Sequence, residues 1–349
     1  LNAHGVTHDK EPFTREEVDN EDPNDLADRV HQMKRRQLIR KTKLKDWSST
    51  KEAAEKWWAF EDGTVNPLVE AIQDGRIVPT QEHILRPRSQ GVCAVISPSD
   101  FHFGKLGWSI NGRSIGNNLE KAMSTLLRNT DTVISRALVH GVPDFIVLSF
   151  GGDWFHIDND RTETTRGTIQ HTSAMTLHDV LVDGCKLAVS LVEMIRNVAP
   201  VKIITVPGNH DQAHTTTLMM YLSAYYRNCD DVEINESTAS RQYMRYGKNL
   251  FGFAHGKFEK RKDLPNLMAN ECAGDWGKCR SRVFFTGDKH HAAIQDTGGV
   301  LAFQLPSLAG ADKWHWDSGY VTATRAIAGG VFDKERGHVA MILSDAVED

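Results

Sequence analysis

From residue 91 onward the chain is written as short apolar runs that stop at glycine-bearing polar turns, and this alternation restricts the fold more than any other feature. "VCAVIS" (92–97), "DFIVLSF" (144–150) and "VKIITV" (201–206) have the flanks and the β-branched content of buried strands rather than helices. Between them, residues 117–139 and 175–198 carry apolar residues at helical spacing, the second as "MTLHDVLVDGCKLAVSLVEMI". Strand, helix and strand in succession predict parallel β-α-β units. Beyond residue 230 the pattern turns strand-rich, with "DVEIN", "RQYMRY", "NLFGFAH", "RVFFTG", "GVLAFQ" and "GHVAMIL". An α/β half followed by a β-rich half predicts an α/β fold in which a two-sheet β-sandwich is flanked by helices.

Residues 1–90 are charge-dense and almost free of glycine, which predicts a mainly helical N-terminal segment attached to a domain spanning 91–349. Within it, "MKRRQLIRKTKLK" (33–45) holds seven basic residues and no acid. That stretch reads first as a solvated helix face and second as a nucleic-acid arm, while Trp57, Trp58 and Phe60 are available for packing. A formal charge of −5 excludes a protein that coats nucleic acid through bulk charge. No apolar run approaches the roughly 18 residues a membrane span needs, and the first residues lack the pattern of a secretory signal. A cytoplasmic protein with no membrane partner is expected, with a homodimer open as its assembly. The five cysteines are scattered without CxxC spacing and read as reduced thiols.

Three of the apolar runs release a polar cluster at their carboxyl end. These are "SDFHFG" with Asp100 and His102, "GGDWFH" with Asp153 and His156, and "GNHD" with Asn209, His210 and Asp211. Two later runs add "AHGK" with His255 and "TGDKHH" with Asp288, His290 and His291. Strand carboxyl ends are where open α/β sheets place their ligands. Carboxylates, imidazoles and an amide oxygen suit a pair of divalent ions such as manganese, iron or zinc, whereas a thiolate set would mark structural zinc. A carboxylate can bridge two ions about 3.5–4 Å apart, and such pairs activate water for in-line attack at phosphorus. Any one of these histidines alone reads as a packed or surface imidazole. Five such clusters in this order read as a site.

The clusters resemble the signature of the calcineurin-like metallophosphoesterases, DxH, GDxx, GNH[DE], H and GHxH. Here these read "DFH", "GDWF", "GNHD", "H" and "GDKH" over roughly residues 92–291. The resemblance implies the metallophosphoesterase fold, with Asp100, His102 and His290 on one metal, Asp153 bridging, and Asn209 and His255 on the other. It places His210 near the departing oxygen, as general acid or transition-state stabiliser, with Pro207 and Gly208 shaping the turn. One position departs from the pattern, because Asp288 stands where the family has a histidine ligand; it is expected to ligate in its place. Two divalent ions, two aspartates and an attacking hydroxide leave a net charge of roughly +1, and a third carboxylate brings it to about zero. Monoanionic diesters should then be favoured over dianionic monoesters, and manganese or magnesium over zinc.

His156, three residues after Asp153, is similar to the histidine in "GDLFH" of SbcD-type DNA repair nucleases, where it approaches the scissile phosphate; a hydrogen-bonding role behind the site is the alternative. Segments such as "GADKWHWDSGY" (310–320) also resemble phage-encoded phosphoesterases. Together these imply a binuclear metal-dependent phosphodiesterase, manganese its expected metal, acting as a nuclease on DNA. A small-molecule phosphodiesterase or phosphomonoesterase, and a scaffold without catalysis, are the alternatives. Trp314 and Trp316 could stack on bases if their loop reaches the cleft, though packing against the sandwich is the plainer expectation. Arg161, Arg166 and Lys257 read as solvated loop charges, with phosphate contact as the sharper reading.

Overall fold

Every residue of β1 (Val92–Ser97) is buried, because its alternating side chains face two different cores. The computed structural model describes residues 89–346 apart from 108, 111–112, 115–118, 174, 318 and 320–322. The expected helical segment 1–90 lies outside the described residues except for 89–90, and with it the basic stretch 33–45, Trp57, Trp58 and Phe60.

After β1 come a short hairpin of β2 (Ser109–Ile110) and β3 (Arg113–Ser114), then α1 (Leu119–Leu138), β4 (Pro143–Phe150), α2 (Leu177–Arg196), β5 (Val201–Thr205), α3 (Gln212–Tyr226) and β6 (Val232–Asn235). The chain continues through β7 (Arg241–Tyr246), β8 (Asn249–Ala254), α4 (Leu264–Glu271), α5 (Ala273–Trp276), β9 (Ser281–Thr286), β10 (Ala293–Thr297) and β11 (Val300–Gln304). It ends with α6 (Lys313–Asp317), β12 (Ala326–Asp333) and β13 (Gly337–Asp345). One sheet has the order β13-β12-β1-β4-β5-β6 and the other β10-β11-β9-β8-β7.

Cys93, Val95, Val147 and Ile204 of the first sheet meet Phe251, Phe253, Phe285 and Phe303 of the second, forming the core between the sheets. The alternate residues Ala94, Ile96, Leu148 and Ile203 face outward under α1, α2 and α3. On the far side, Leu250, Phe284 and Ala302 are covered by Leu264 and Met268 of α4. The two-sheet sandwich flanked by helices is the architecture that the alternation of short apolar runs and helical spacing predicts. One correction concerns which strands belong to which sheet. Three strands of the strand-rich half do not join the second sheet: β6 pairs parallel with β5, β12 antiparallel with β1, and β13 antiparallel with β12, so all three extend the first sheet.

The parallel strands position the site. β1, β4 and β5 are parallel neighbours in one sheet and β8, β9 and β11 in the other. Their carboxyl ends therefore emerge as two facing rows of loops. Among the described residues no helix is long and apolar enough to cross a membrane.

Candidate metal centre

Six non-glycine residues among those described have a left-handed backbone: Asp100, His102, Asp153, Thr162, Asp288 and His290. Five of the six are predicted site residues, at φ between 51° and 66°. Such conformations cost of order 1–3 kcal/mol each and persist where the surroundings over-determine them. Here they are tied across loops: the Asp100 amide donates to Gly152 O at 3.1 Å and the His102 amide to Asp153 O at 2.9 Å. The Asp288 amide donates to both Asp100 carboxylate oxygens, at 3.1 and 3.0 Å. Anchoring comes from Trp154 and Phe155, both buried, which follow Asp153 directly. The Trp154 indole donates to Gly184 O of α2 at 3.2 Å, and a Cβ at Gly184 would strike the Phe155 ring. Truncating a core aromatic to alanine costs about 3–5 kcal/mol, enough to offset the strain of one or two left-handed residues.

Asp211 shapes the turn "PGNHD". Its carboxylate accepts from the amides of Asp153 (3.1 Å), Gly208 (3.1 Å) and Phe155 (3.0 Å), stitching two strand ends together. That commitment leaves it unable to cap α3, and Asp158 does so instead, accepting from the amides of Ala213 (3.0 Å) and His214 (3.1 Å). Gly208 is required by proximity, since a Cβ there would run into the Asp153 carboxylate.

The loops bring the predicted ligands together. Asp153 Oδ2 lies 3.9 Å from His102 Nε2 and 3.3 Å from His255 Nε2, so one carboxylate reaches both halves of the site. In the first half, His290 Nε2 is 3.3 Å from Asp100 Oδ1 and 3.4 Å from His102 Nε2. In the second, His255 Nε2 is 3.1 Å from Asn209 Oδ1 and 3.8 Å from Asp288 Oδ1. Asp100, His102 and His290 form one set, and Asp100, Asp153 and His255 another, whose ligating atoms all lie within 4.8 Å of one another.

Electrostatics separate the halves. Burial would push the His255 imidazole down, but the carboxylates of Asp153, Asp100 and Asp288 outweigh it and hold the ring at about 10. His102 is pushed well below the usual imidazole range by burial, with His210, His156 and His290 adding to the effect. Burial, reinforced by Asp153, pushes the Asp211 carboxyl up to about 7. Converging imidazole nitrogens, an amide oxygen and carboxylates are donors that suit divalent ions, so the residues fit the expected metals.

His156 is buried behind the centre, its Nδ1 3.2 Å from His102 Nδ1. Its carbonyl accepts a hydrogen bond at 3.0 Å from His210 Nδ1–H, and the two rings stack. Asp288 carries an additional load, with Oδ1 3.4 Å from Lys257 Nζ and Oδ2 2.5 Å from Lys289 Nζ. The 310–320 segment reaches the site through His315, whose ring stacks on His290 at 5.6 Å and whose Nδ1 bonds Asp312 at 2.7 Å. Asp312 in turn pairs with buried Lys105 at 3.1 Å. Sequence reasoning assigned no role to Asp211, Lys105, Asp312 or His315, nor to Ser99, whose hydroxyl donates to Asp100 Oδ2 at 2.7 Å. Proximity of "HD" to a ligand could have flagged Asp211; nothing local marks Lys105, which meets Asp312 from 207 positions away. Arg166 lies over the Phe258 ring at 5.2 Å.

No family model matches the chain, and no curated protein matches it in sequence. Among solved structures it is similar to an archaeal phosphodiesterase (13% identity, covering 72% of this chain and 99% of that one, TM-score 0.35). It is also similar to Yfce, a phosphoesterase from E. coli (14%, 72% and 99%, 0.36), and to Vps29 from Entamoeba histolytica complexed with zinc (12%, 73% and 99%, 0.31). At this degree of overlap, the residues of the site rather than the neighbours bear on function.

Proposed function

We propose that the chain is a two-metal phosphodiesterase acting on nucleic acid, with DNA the expected substrate and manganese the favoured ion. Asp100, His102 and His290 would hold one ion, Asn209 and His255 the other, and Asp153 would be shared. When bound, such a pair polarises a phosphoryl oxygen and makes water a competent nucleophile near neutral pH. The observation that carries the reading is the position of the Asp153 carboxylate, 3.9 Å from His102 and 3.3 Å from His255.

The chain's own groups supply orientation and a proton. If His102 ligates through Nε2, its Nδ1 carries hydrogen and donates to His156 Nδ1, which fixes the tautomer of both rings. His210 donates Nδ1–H to His156 O, so Nε2 is the nitrogen left to face the departing oxygen, and it gives a proton there from the imidazolium form, returning to the neutral Nδ1–H ring. In this assignment His156 acts through His102 and His210 and does not touch the phosphate.

The test compares three substrates in manganese: bis(p-nitrophenyl) phosphate, p-nitrophenyl phosphate and a single-stranded DNA oligonucleotide. Cleavage of the diester and of DNA, with slow monoester turnover, is expected. Fast monoester turnover with diester and DNA untouched would overturn the proposal.

A further inference from the structure

Asp288 is a predicted ligand whose carboxylate is already shared with two lysines of the chain itself. Its side chain is 6% exposed, yet the two ammonium groups on it belong to Lys257 and Lys289, which are 42% and 53% exposed. The lysines come from neighbouring parallel strands: Lys257 lies two residues beyond His255 after β8, and Lys289 sits between Asp288 and His290 after β9. Each carboxylate oxygen holds a different lysine, and Oδ1 is also 3.8 Å from His255 Nε2. A buried anion thus gathers two solvent-facing cations at the edge of the second half of the centre.

We infer that Lys257 and Lys289, anchored by Asp288, form the phosphate-binding element of the site, gripping the anionic oxygens of the substrate. The inference rests on the phosphodiesterase reading. Aspartate in place of histidine at 288 removes positive charge from the centre, as the sequence implies. Two ammonium groups on one carboxylate return a local charge of about +1, now on flexible stems that face solvent instead of on the metals. Lysine is suited to this task because its ammonium acts as a point charge toward phosphate oxygen from several directions. The arrangement also holds the lysines at the site before substrate arrives, which lowers the ordering cost of binding. Asp288 is then a positioning residue for the lysines, and the metals retain Asn209 and His255.

Lys257→Gln, Lys289→Gln and the double variant test this, with Lys→Arg at each position as the conservative control. In manganese, KM for bis(p-nitrophenyl) phosphate should rise about tenfold per Lys→Gln change, as loss of one charge-assisted hydrogen bond implies, while kcat moves less than about threefold. The arginine variants should recover most of that loss. In EDTA, where no turnover occurs, the salt dependence of binding to a labelled single-stranded oligonucleotide should flatten by about 0.7 per lysine removed. The number of manganese ions bound, read by calorimetry, should equal that of the unaltered chain. Unchanged KM and unchanged salt slope in the double variant would overturn the inference, as would a KM rise accompanied by loss of an ion. If the unaltered protein turns over no phosphoester in manganese, the phosphodiesterase reading fails instead, and the salt slope alone decides the role of the lysines.

Discussion

The two halves of the centre are built differently. Asp100, His102 and His290 sit in a shell of imidazoles: His156 bonds His102, His210 packs edge-on against His102, and His315 stacks on His290. Asn209, His255 and Asp288 sit among oxygens, with two lysines at the edge. The nitrogen-lined half has its ligands oriented by neighbouring imidazole rings, which suits tight retention of an ion. The oxygen-lined half has weaker, harder donors and external cations, which suits an ion that must also face an anionic substrate. Under the proposed function, the contrast assigns retention and substrate handling to opposite sides of Asp153.

The largest effect should come from removing what the halves share. Asp153→Asn takes the common carboxylate from both, and several kcal/mol of transition-state stabilisation should go with it, lowering kcat about 10³-fold or more. Manganese stoichiometry by calorimetry should fall below two ions per chain. Retention of both ions with near-normal turnover would show that the carboxylate is not shared. Next, the halves should respond unequally to loss of one ligand each. Asn209→Ala should lower activity about 10²-fold and be rescued by high manganese, because a weakly held ion is lost; His290→Ala should resist such rescue. Equal rescue of the two variants would erase the distinction.

The main framework of this arrangement was legible because physical constraints act locally. Runs such as "VCAVIS" are apolar through their first five positions since both faces of β1 are covered, and the polar stretches that follow coincide with the loops that carry Asp100, Asp153 and Asn209. β12, "AIAGGVFD", carried no such signal: a Cβ at Gly329 would meet Val95 O and Val133 of α1, so close packing there demands glycine and breaks the apolar pattern. β10, "AIQDT", is an exposed edge strand and lacks an apolar run altogether. At the site, the residues that converge could be read from motif loops. Most of the partners that orient them could not, since Ser307 donates to Asp100 O across 207 positions and Lys105 meets Asp312 across as many.

A smaller, tenfold-per-unit effect of pH separates the halves by their protons. In the metal-free protein His255 is held at about 10 by surrounding carboxylates, so an ion entering the second half must displace a proton. His102, pushed well below the usual imidazole range, has none to release. Apparent manganese affinity of the second half should therefore rise about tenfold per pH unit between about 6.5 and 10, while that of the first half stays flat across neutral pH. The sign for stability is opposite. The His255 proton stabilises the metal-free fold fully below the unfolded imidazole value of about 6.5, and that contribution disappears as pH rises through about 10. Calorimetry in buffers of different ionisation enthalpy counts the protons; release of none at the second half would contradict the assignment.

The smallest expected effect asks whether a nucleic-acid strand leaves across the imidazole side. α6 brings His315 onto His290, and Trp316, the next residue, is 44% exposed. A base stacked on an exposed indole contributes about 1–3 kcal/mol, so Trp316→Ala should weaken single-stranded oligonucleotide binding about fivefold or more. Turnover of bis(p-nitrophenyl) phosphate, which has no neighbouring base, should not change. The salt slope should also be preserved, because an indole neutralises no phosphate, whereas the lysines of the other half should alter that slope. Loss of small-diester turnover in the Trp316 variant would mean that α6 supports His290 itself rather than the strand, and the division of labour between the halves would then lie inside the metal shell.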